Sequence, residues 1–265
     1  MPRQSSAPTA RNVVITGASS GIGKTLALRY AVAGARLGLV GRDRARLHAV
    51  ADECRQRGAV IETATLDVCA RPDMASWIED FDSRFPIDLV IANAGVMDGT
   101  RAGAAIEPAD PAYRLMQINV LGVLNTVHPV LPRMMERRHG QIALMSSLAG
   151  LIPLRDAPSY AASKAAVLAY GLSLRDLLGG HGIRVNVICP GYVATPMTQQ
   201  EIGKKPFELS AERAADRILR GLERDKAVIA FPFWYAMATR IGALLPDSWR
   251  ERVTRASRFQ VQARR

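Results

Sequence analysis

Cysteine, histidine and long apolar runs are scarce in this chain, and each scarcity excludes a class of protein. The 3 cysteines are odd in number and far apart, which argues against a disulfide framework and favours a reducing compartment. The 4 histidines have no metal-ligand spacing, so no metal site is predicted. Without a run of about 18 apolar residues, no transmembrane helix is predicted. Because residues 1–11 also lack the apolar core of a signal peptide, we expect a cytoplasmic protein.

Acidic residues are outnumbered as well, with 24 Asp and Glu against 35 Lys and Arg, for a formal net charge of +11. Such an excess can serve nucleic acid or an anionic membrane surface. The arginines, however, are spread over predicted helices and do not cluster with aromatic side chains. We therefore predict no binding to nucleic acid.

Apolar segments alternate with amphipathic segments between residues 12 and 231, a pattern typical of a parallel sheet with helices on both faces. Right-handed crossovers then predict a doubly wound, Rossmann-like α/β fold with seven strands. The chain divides into a flexible tail (1–11), a nucleotide-binding catalytic domain (12–231) and a C-terminal helical extension (232–265). The predicted strands are 12–16, 36–40, 60–66, 87–92, 141–145, 183–188 and 227–230. The predicted helices are 22–33, 44–57, 72–84, 111–137, one holding Tyr160 and ending near Leu178, and 211–223.

A glycine-rich turn joins the first strand to the first helix. Gly17 permits the sharp turn, Gly21 permits close approach of a pyrophosphate, and Gly23 lets the helix pack on the strand. The helix N-terminus adds free N–H groups and a favourable dipole. This arrangement favours a dinucleotide site over a purely structural turn. The predicted cofactor contacts in the turn are Gly17, Ser19, Ser20, Gly21, Ile22 and Gly23.

The end of the second strand bears on the choice between NAD(H) and NADP(H). An acidic residue there holds the adenosine ribose, whereas a nearby arginine accommodates a 2′-phosphate. The chain has Gly41 followed by Arg42, whose guanidinium can bind a phosphate through two hydrogen bonds. We therefore predict NADP(H) over NAD(H). Asp43 is an alternative ribose ligand, although a role as the cap of the next helix suits it better.

Tyr160 and Lys164 stand four residues apart, a spacing that places both on one face of a helix. A free phenol has a pKa of about 10, and a nearby ammonium lowers that pKa by favouring the phenolate. The pair therefore predicts a general acid/base. In isolation the same spacing also suits a buried tyrosine beside a solvated lysine, so the neighbouring motifs decide.

Taken together, the motifs resemble the short-chain dehydrogenase/reductase family over roughly residues 11–231. They stand in the family's order along the chain, and Ala92 replaces a frequent asparagine in one of them. The resemblance implies hydride transfer between NADP(H) and a carbonyl or secondary alcohol, by a homodimer or homotetramer. The matching positions are the glycine-rich turn, Asp67-Val68, Asn93-Ala94-Gly95, Asn119, Ser147, Tyr160, Lys164 and the segment 190–197.

The resemblance also implies roles for these residues. Tyr160 would exchange the proton, Ser147 would orient the carbonyl, Lys164 would bind the nicotinamide ribose, and Asn119 would anchor a water that relays protons to Lys164. A cofactor-binding redox sensor without turnover is the alternative, which four intact catalytic positions disfavour. The further cofactor contacts implied are Asp67, Val68, Asn93, Ala94, Gly95, Pro190, Gly191, Val193 and Thr195.

The family's substrate pocket lies between the segment before Tyr160 and the loop after Thr195. The chain offers mainly apolar side chains there, so a hydrophobic or amphipathic ketone or alcohol is predicted. The predicted lining residues are Leu148, Leu154, Tyr192 and Met197.

Residues 232–265 extend beyond the family pattern. Phe233, Met237 and Ile241 recur at near-helical spacing, and an arginine-rich helix is predicted to follow. One interpretation is packing on the same subunit or on a partner subunit. The other is an interfacial element that makes the protein peripheral on the inner face of a membrane. Packing is the favoured interpretation.

Overall fold

The computed structural model describes residues 10–101, 103–202, 205–243 and 260–261. Most of the predicted tail and most of the C-terminal extension therefore lie outside the described residues. The strands are β1 (Asn12–Thr16), β2 (Arg36–Gly41), β3 (Val60–Thr65), β4 (Leu89–Ala92), β5 (Gly140–Met145), β6 (Ile183–Pro190), β7 (Val193–Ala194), β8 (Glu201–Ile202), β9 (Leu209–Ser210), β10 (Val228–Phe231) and β11 (Gln260–Val261). The α-helices are α1 (Gly21–Tyr30), α2 (Arg44–Arg55), α3 (Arg71–Arg84), α4 (Ala109–Met116), α5 (Gly122–Val127), α6 (Leu131–Arg137), α7 (Pro158–Leu178), α8 (Ala211–Glu223) and α9 (Phe233–Ala243).

Seven strands form one sheet in the order β3-β2-β1-β4-β5-β6-β10, and every neighbouring pair is parallel. Side chains on the central strand β1 alternate between two cores. Val13 and Ile15 pack in the core that holds Leu26 of α1, whereas Val14 packs in the core that holds Phe81 of α3. Helices therefore cover both faces, which confirms the predicted doubly wound α/β fold.

The order of the strands reverses at β1, because β2 lies on one side of it and β4 on the other. The chain crosses from β1 to β2 on one side and from β4 to β5 on the other, so a crevice opens between the carboxyl ends of β1 and β4. The glycine-rich turn follows β1, and Asn93 follows β4. The topology thus gathers the sequence motifs at one edge of the sheet.

The long helix predicted over 111–137 is wrong as a single element. The chain instead forms α4, a π-helical turn over Gln117–Leu121, α5, a 3₁₀ turn over His128–Val130, and α6. Pro129 and Pro132 explain the later breaks, because each lacks the N–H that an uninterrupted helix requires. The π-helical turn contains Asn119, and turns of this kind occur frequently at functional sites.

The start of the C-terminal extension is helical, as predicted. In α9, Ala236 and Thr239 are buried while Phe233 and Ile241 on the other side are exposed. The predicted arginine-rich helix lies largely outside the described residues, but β11 pairs with β8 as a strand within that range, which corrects the prediction there. None of the helices over the described ranges is long and apolar enough to cross a membrane.

Candidate active site

A cleft of about 650 Å³ opens at the carboxyl ends of the strands. It runs from the end of β2, across the turn after β1, to the start of α7 and the segment after β6. Most of the predicted site residues share this one cavity. Those that line it are Gly17, Ser19, Ser20, Gly21, Ile22, Arg42, Asp67, Val68, Asn93, Ala94, Gly95, Ser147, Tyr160, Lys164, Pro190, Gly191, Val193, Thr195 and Met197.

Hydrogen bonds join the turns that follow β1 and β4. The Thr16 hydroxyl oxygen accepts from the backbone N–H groups of Asn93 and Ala94, each at 3.2 Å. In return, the Asn93 amide donates to the carbonyl oxygens of Thr16 at 3.0 Å and Gly17 at 3.2 Å. The two turns therefore hold each other in place on either side of the crevice.

Glycine is required in this junction because the backbones lie so close. A Cβ on Gly17, whose φ is +66°, would lie 2.8 Å from the Ala94 Cα. A Cβ on Gly23 would collide with the carbonyl oxygen of Gly17. Gly23 does not line the cleft, so its geometry matches the packing role predicted for it.

The N-terminus of α1 faces the cleft through Gly21 and Ile22. Its N-cap residue, Ser20, makes no side-chain capping hydrogen bond, and its first turn has no acidic residue. The backbone donors and the positive end of the helix dipole therefore suit an anionic group. A pyrophosphate fits this cradle of glycine backbone.

The far end of the cleft carries Arg42 and Asp67. The Arg42 guanidinium lies 3.6 Å from the Asp67 carboxylate, and both side chains are partly exposed. Burial would raise the pKa of Asp67, but the hydrogen bond from the Cys69 amide and the charges of Arg42 and Arg114 leave that pKa below its usual value.

Asp43 caps α2, as the sequence analysis favours. Its carboxylate accepts from the Arg46 amide at 3.0 Å and pairs with the Arg46 side chain at 2.7 Å. These bonds engage the Asp43 carboxylate at the N-terminus of α2. Gly41 has no side chain to offer, and a Cβ there would lie 3.4 Å from the Ser19 side chain, which is an ordinary contact distance.

Ser147, Tyr160 and Lys164 meet at the other end of the cleft. The Lys164 Nζ lies 5.8 Å from the centroid of the Tyr160 ring and donates to the Met145 carbonyl oxygen at 3.0 Å. Both adjacent serines line the cleft, but Ser146 is buried and donates to the Lys164 carbonyl oxygen at 2.7 Å. The half-buried Ser147 hydroxyl accepts from the Ala149 amide at 3.1 Å and lies 3.4 Å from the Pro190 carbonyl oxygen. Of the two adjacent serines, Ser147 therefore has the more available hydroxyl.

Asn119 lies behind the cleft wall and is fully buried. Its side-chain oxygen accepts from the Val96 amide at 2.8 Å, and its nitrogen donates to the Val96 carbonyl at 2.9 Å and to the Ser163 hydroxyl at 3.1 Å. A Cβ on Gly95 would lie 3.2 Å from the Asn119 oxygen and 3.4 Å from the Lys164 Nζ. The Asn119 side chain thus ties the turn after β4 to α7.

The predicted substrate residues are less well gathered. Met197 lines the cleft, but Leu148, Leu154 and Tyr192 do not. Leu148 is only 3% exposed and packs in a small core with Ala236 of α9. Leu148 does not line the cleft because Ser147 faces it and the chain turns inward immediately after the serine.

Sequence reasoning also missed several residues that line the cleft. Arg46 and Arg114 add cations near its Asp67 end, and Thr198 follows Met197 in the loop after β7. Arg46 stands four residues after Arg42, which is the available sequence signal for it. Arg114 comes from α4, and no nearby motif indicates that it reaches the cleft.

Residues 11–205 match the family model described as short chain dehydrogenase. The chain belongs to the short-chain dehydrogenase family. An uncharacterized oxidoreductase from Myxococcus xanthus is 36% identical over 238 residues, covering 89% of this chain and 93% of that relative.

Two solved structures resemble this short-chain dehydrogenase. The enzyme from Sphingobium yanoikuyae in complex with NADPH has a TM-score of 0.76 and 30% identity, covering 96% of this chain and 98% of that one. The enzyme from Mycobacterium paratuberculosis bound to NAD has a TM-score of 0.72 and 27% identity, covering 83% and 94%. The dehydrogenase is thus an oxidoreductase with a nicotinamide cofactor, and its relatives include users of either form.

Lys164 is the most electrostatically perturbed group in the dehydrogenase's cleft. Burial lowers the pKa of its ammonium from 10.5 to about 8, although a smaller influence of Cys189 opposes this. Below the folded-state pKa, the folded protein therefore bears the cost of a desolvated cation. Between about pH 8 and 10.5, Lys164 is neutral in the folded state but still binds its proton in the unfolded state. The free energy of unfolding therefore rises with pH over this range.

We expect this cost to appear in the difference in unfolding free energy between the cofactor-free wild type and Lys164→Met. The wild type should gain about 2 kcal/mol relative to the variant between pH 7 and about pH 9.5. Urea unfolding at several pH values measures the difference. Lys226→Met removes an exposed lysine and should show no such change. A flat wild-type minus Lys164→Met difference over this range would contradict the assignment.

Proposed function

We propose that this dehydrogenase transfers a hydride between NADP(H) and a carbonyl or secondary alcohol group, with Tyr160 as the general acid/base. One observation supports the proposal most strongly. The phosphate cradle and the side chains of Ser147, Tyr160 and Lys164 line the same cleft. A binding site and a proton-transfer group are therefore within reach of one bound molecule.

The chain's own residues supply binding, orientation and proton transfer. The Tyr160 phenol gives its proton to the carbonyl oxygen during reduction, or takes one from the alcohol in the reverse direction. The nearby Lys164 ammonium stabilises the phenolate that remains after reduction. The Ser147 hydroxyl donates a hydrogen bond to the same substrate oxygen and so stabilises the charge that develops there.

In this proposal Asn119 is a positioning residue. All three side-chain hydrogen bonds go to Val96 and Ser163, so its amide holds Gly95 against Lys164. A water relay from Lys164 would then use the main chain of the π-helical turn rather than the Asn119 side chain. Apart from Gly23, the remaining residues predicted to touch the cofactor line the cleft, and we propose that they contact the cofactor there.

The cofactor supplies the hydride when it is bound. The glycine-rich turn and the N-terminus of α1 would hold its pyrophosphate, and Lys164 would bind the nicotinamide ribose. Asp67 and Val68 would contact the adenine. The cradle fits this group because its backbone donors face the cleft with no side chain between them at Gly17 and Gly21.

The preference for NADP(H) rests on the charge at the Arg42 end of the cleft. Arg42 and Arg46 both line it, and Asp43 is occupied by its bonds to Arg46 at the end of α2. The wall therefore offers two cations for a 2′-phosphate, whereas the two carboxylates that line it are already bonded, Asp43 to Arg46, and Asp67 to the Cys69 amide and to Arg42 at 3.6 Å.

A hydrophobic or amphipathic ketone or alcohol remains the proposed substrate. Met197 and Pro196 line the cleft and give it apolar side chains in the loop after β7. We also propose a homodimer or homotetramer. Large apolar side chains exposed on neighbouring helices support it, namely Tyr113 and Met116 of α4 and Leu177 of α7.

A redox sensor that binds NADP(H) without turnover is the second candidate, and the geometry disfavours it. A sensor needs only the cradle and the Arg42 end. It has no use for a buried cation beside a half-buried phenol, which costs folding free energy. Oxidation of NADPH in the presence of a panel of ketones separates the two candidates.

Replacing Tyr160 with Phe should lower turnover by at least about a hundredfold, because it removes the proton donor. Affinity for NADPH, measured by fluorescence titration, should be unchanged. Tyr170→Phe is the matched control, since Tyr170 lies on the same helix but contacts His128 away from the cleft. Near-native turnover in Tyr160→Phe would exclude the proposed mechanism.

Replacing Arg42 with Ala should raise KM for NADPH roughly tenfold to a hundredfold while changing KM for NADH little, because a charged hydrogen-bonding partner of the 2′-phosphate is lost. Steady-state kinetics with both cofactors measure this. Arg44→Ala provides the control, because Arg44 is exposed and lies outside the cleft lining. A wild-type preference for NADH would refute the Arg42 argument.

A further inference from the structure

A row of arginines runs along the outer face of α8. Arg213, Arg217, Arg220 and Arg224 are spaced by four, three and four residues, which places them on one side of the helix. The opposite side, with Ala214, Ile218 and Leu222, is buried against the sheet. We call these four residues the arginine row. Packing accounts for the buried side of α8 and for Arg217, whose guanidinium lies 6.0 Å from the centroid of the Phe231 ring, but it gives no reason for the other three arginines.

The row borders a groove of about 360 Å³ between α8, β10 and α9, which we call the basic groove. Arg217, Arg220, Arg224 and Lys226 line it, and no acidic side chain does so among the described residues. Nearby carboxylates serve other partners. Asp216 pairs with Arg29 at 2.9 Å, and Asp225 pairs with Arg175 at 2.8 Å. The groove therefore presents four cations without a matching anion.

The opposite wall of the groove is apolar and continues onto the surface. Phe233 and Met237 of α9 line the groove, and together with Trp234 and Ile241 they cover one side of that helix. We call these four residues the apolar stripe. Trp234 is 79% exposed, Phe233 58% and Ile241 56%. Exposed aromatic side chains beside a basic face are typical of helices that lie at a membrane interface.

The stripe lies beside the substrate end of the cleft. The buried side of α9 packs Ala236 against Leu148, the residue after Ser147. The Tyr235 ring lies 6.5 Å from the Phe207 ring, in the loop after Met197. A surface that fixes the outer side of α9 therefore also restrains the segments packed on that helix, Leu148 and the loop that holds Phe207.

We propose that the basic groove and the apolar stripe dock this enzyme on an anionic lipid bilayer. The arginine row and Lys226 would face the acidic headgroups, and the stripe would enter the interfacial zone. In combination with the proposed function, docking places the substrate end of the cleft at the membrane surface, from which a hydrophobic ketone or alcohol can partition.

A second copy of the chain is a less suitable occupant. A two-fold contact across α8 would bring the arginine row of one subunit against that of the other. Like charges facing each other in an interface oppose association. An anionic bilayer offers the opposite charge over the whole row, as well as an apolar layer for Trp234.

Sedimentation of the full chain with vesicles tests the proposal. Wild-type protein should bind vesicles of phosphatidylcholine with about one third phosphatidylserine, should not bind vesicles of phosphatidylcholine alone, and should be released by salt. The triple variant Arg217→Gln/Arg220→Gln/Arg224→Gln should partition at least tenfold less, since each cation near an anionic surface contributes about fivefold. Trp234→Ser should also weaken binding.

The matched control is Arg44→Gln/Arg55→Gln/Arg57→Gln. It removes the same charge from α2 and the turn that follows it, where α2 lies on the far side of α1 from α8, and it should bind like wild type. Thermal melting confirms that each variant is folded, and sedimentation requires no turnover, so failure of docking and failure of the proposed function are separate results.

Three outcomes would overturn the docking proposal. The first is wild-type protein that stays in the supernatant with anionic vesicles. The second is an equal loss of binding in both triple variants, which would assign vesicle binding to net charge. The third is a groove variant that changes the oligomeric mass in solution while binding vesicles like wild type, which would make this face an interface between copies.

Discussion

The junction between the turns after β1 and β4 is the constraint on which the rest of the site depends. Thr16 and Asn93 exchange hydrogen bonds across the crevice, and Gly17 brings the two backbones to a separation that no side chain would allow. From there Asn119 fixes the next residues and places Gly95 against Lys164. A continuous set of contacts thus links the glycine-rich turn at one end of the cleft to Lys164 at the other. A shift at either turn would change the distance between them.

This linkage explains why the site occupies the edge of the sheet that it does. Parallel strands end at the same edge, and the reversal of strand order at β1 leaves the only gap between neighbouring crossovers in this sheet. The proposed pyrophosphate site at the glycine-rich turn uses that gap, and α7 borders it from the side of β5, whose last residue, Met145, accepts a hydrogen bond from Lys164. The fold supplies the crevice, and local chemistry at each strand end supplies the function.

Features of the fold and the site could be predicted from the sequence where their signals were local. Strand β1 and helix α8 have the predicted bounds, because apolar runs and helical spacing are local signals. The break at Gln117–Leu121 depends on a tertiary bond from Asn119 to Val96, and the inward turn of Leu148 depends on packing against α9, so neither was visible in the pattern. The same holds for Arg114, which reaches the cleft from a helix distant in sequence.

Lys164 shows why the site is better explained by function than by stability. An ammonium buried at that depth favours the unfolded state, as the lowering of its pKa indicates. An apolar residue of similar length would fill the space at no such cost, so packing alone gives no reason for a lysine there. In the proposed mechanism this cation has two uses, since it stabilises the Tyr160 phenolate and binds the nicotinamide ribose. The cost in folding free energy is therefore consistent with a functional role for Lys164.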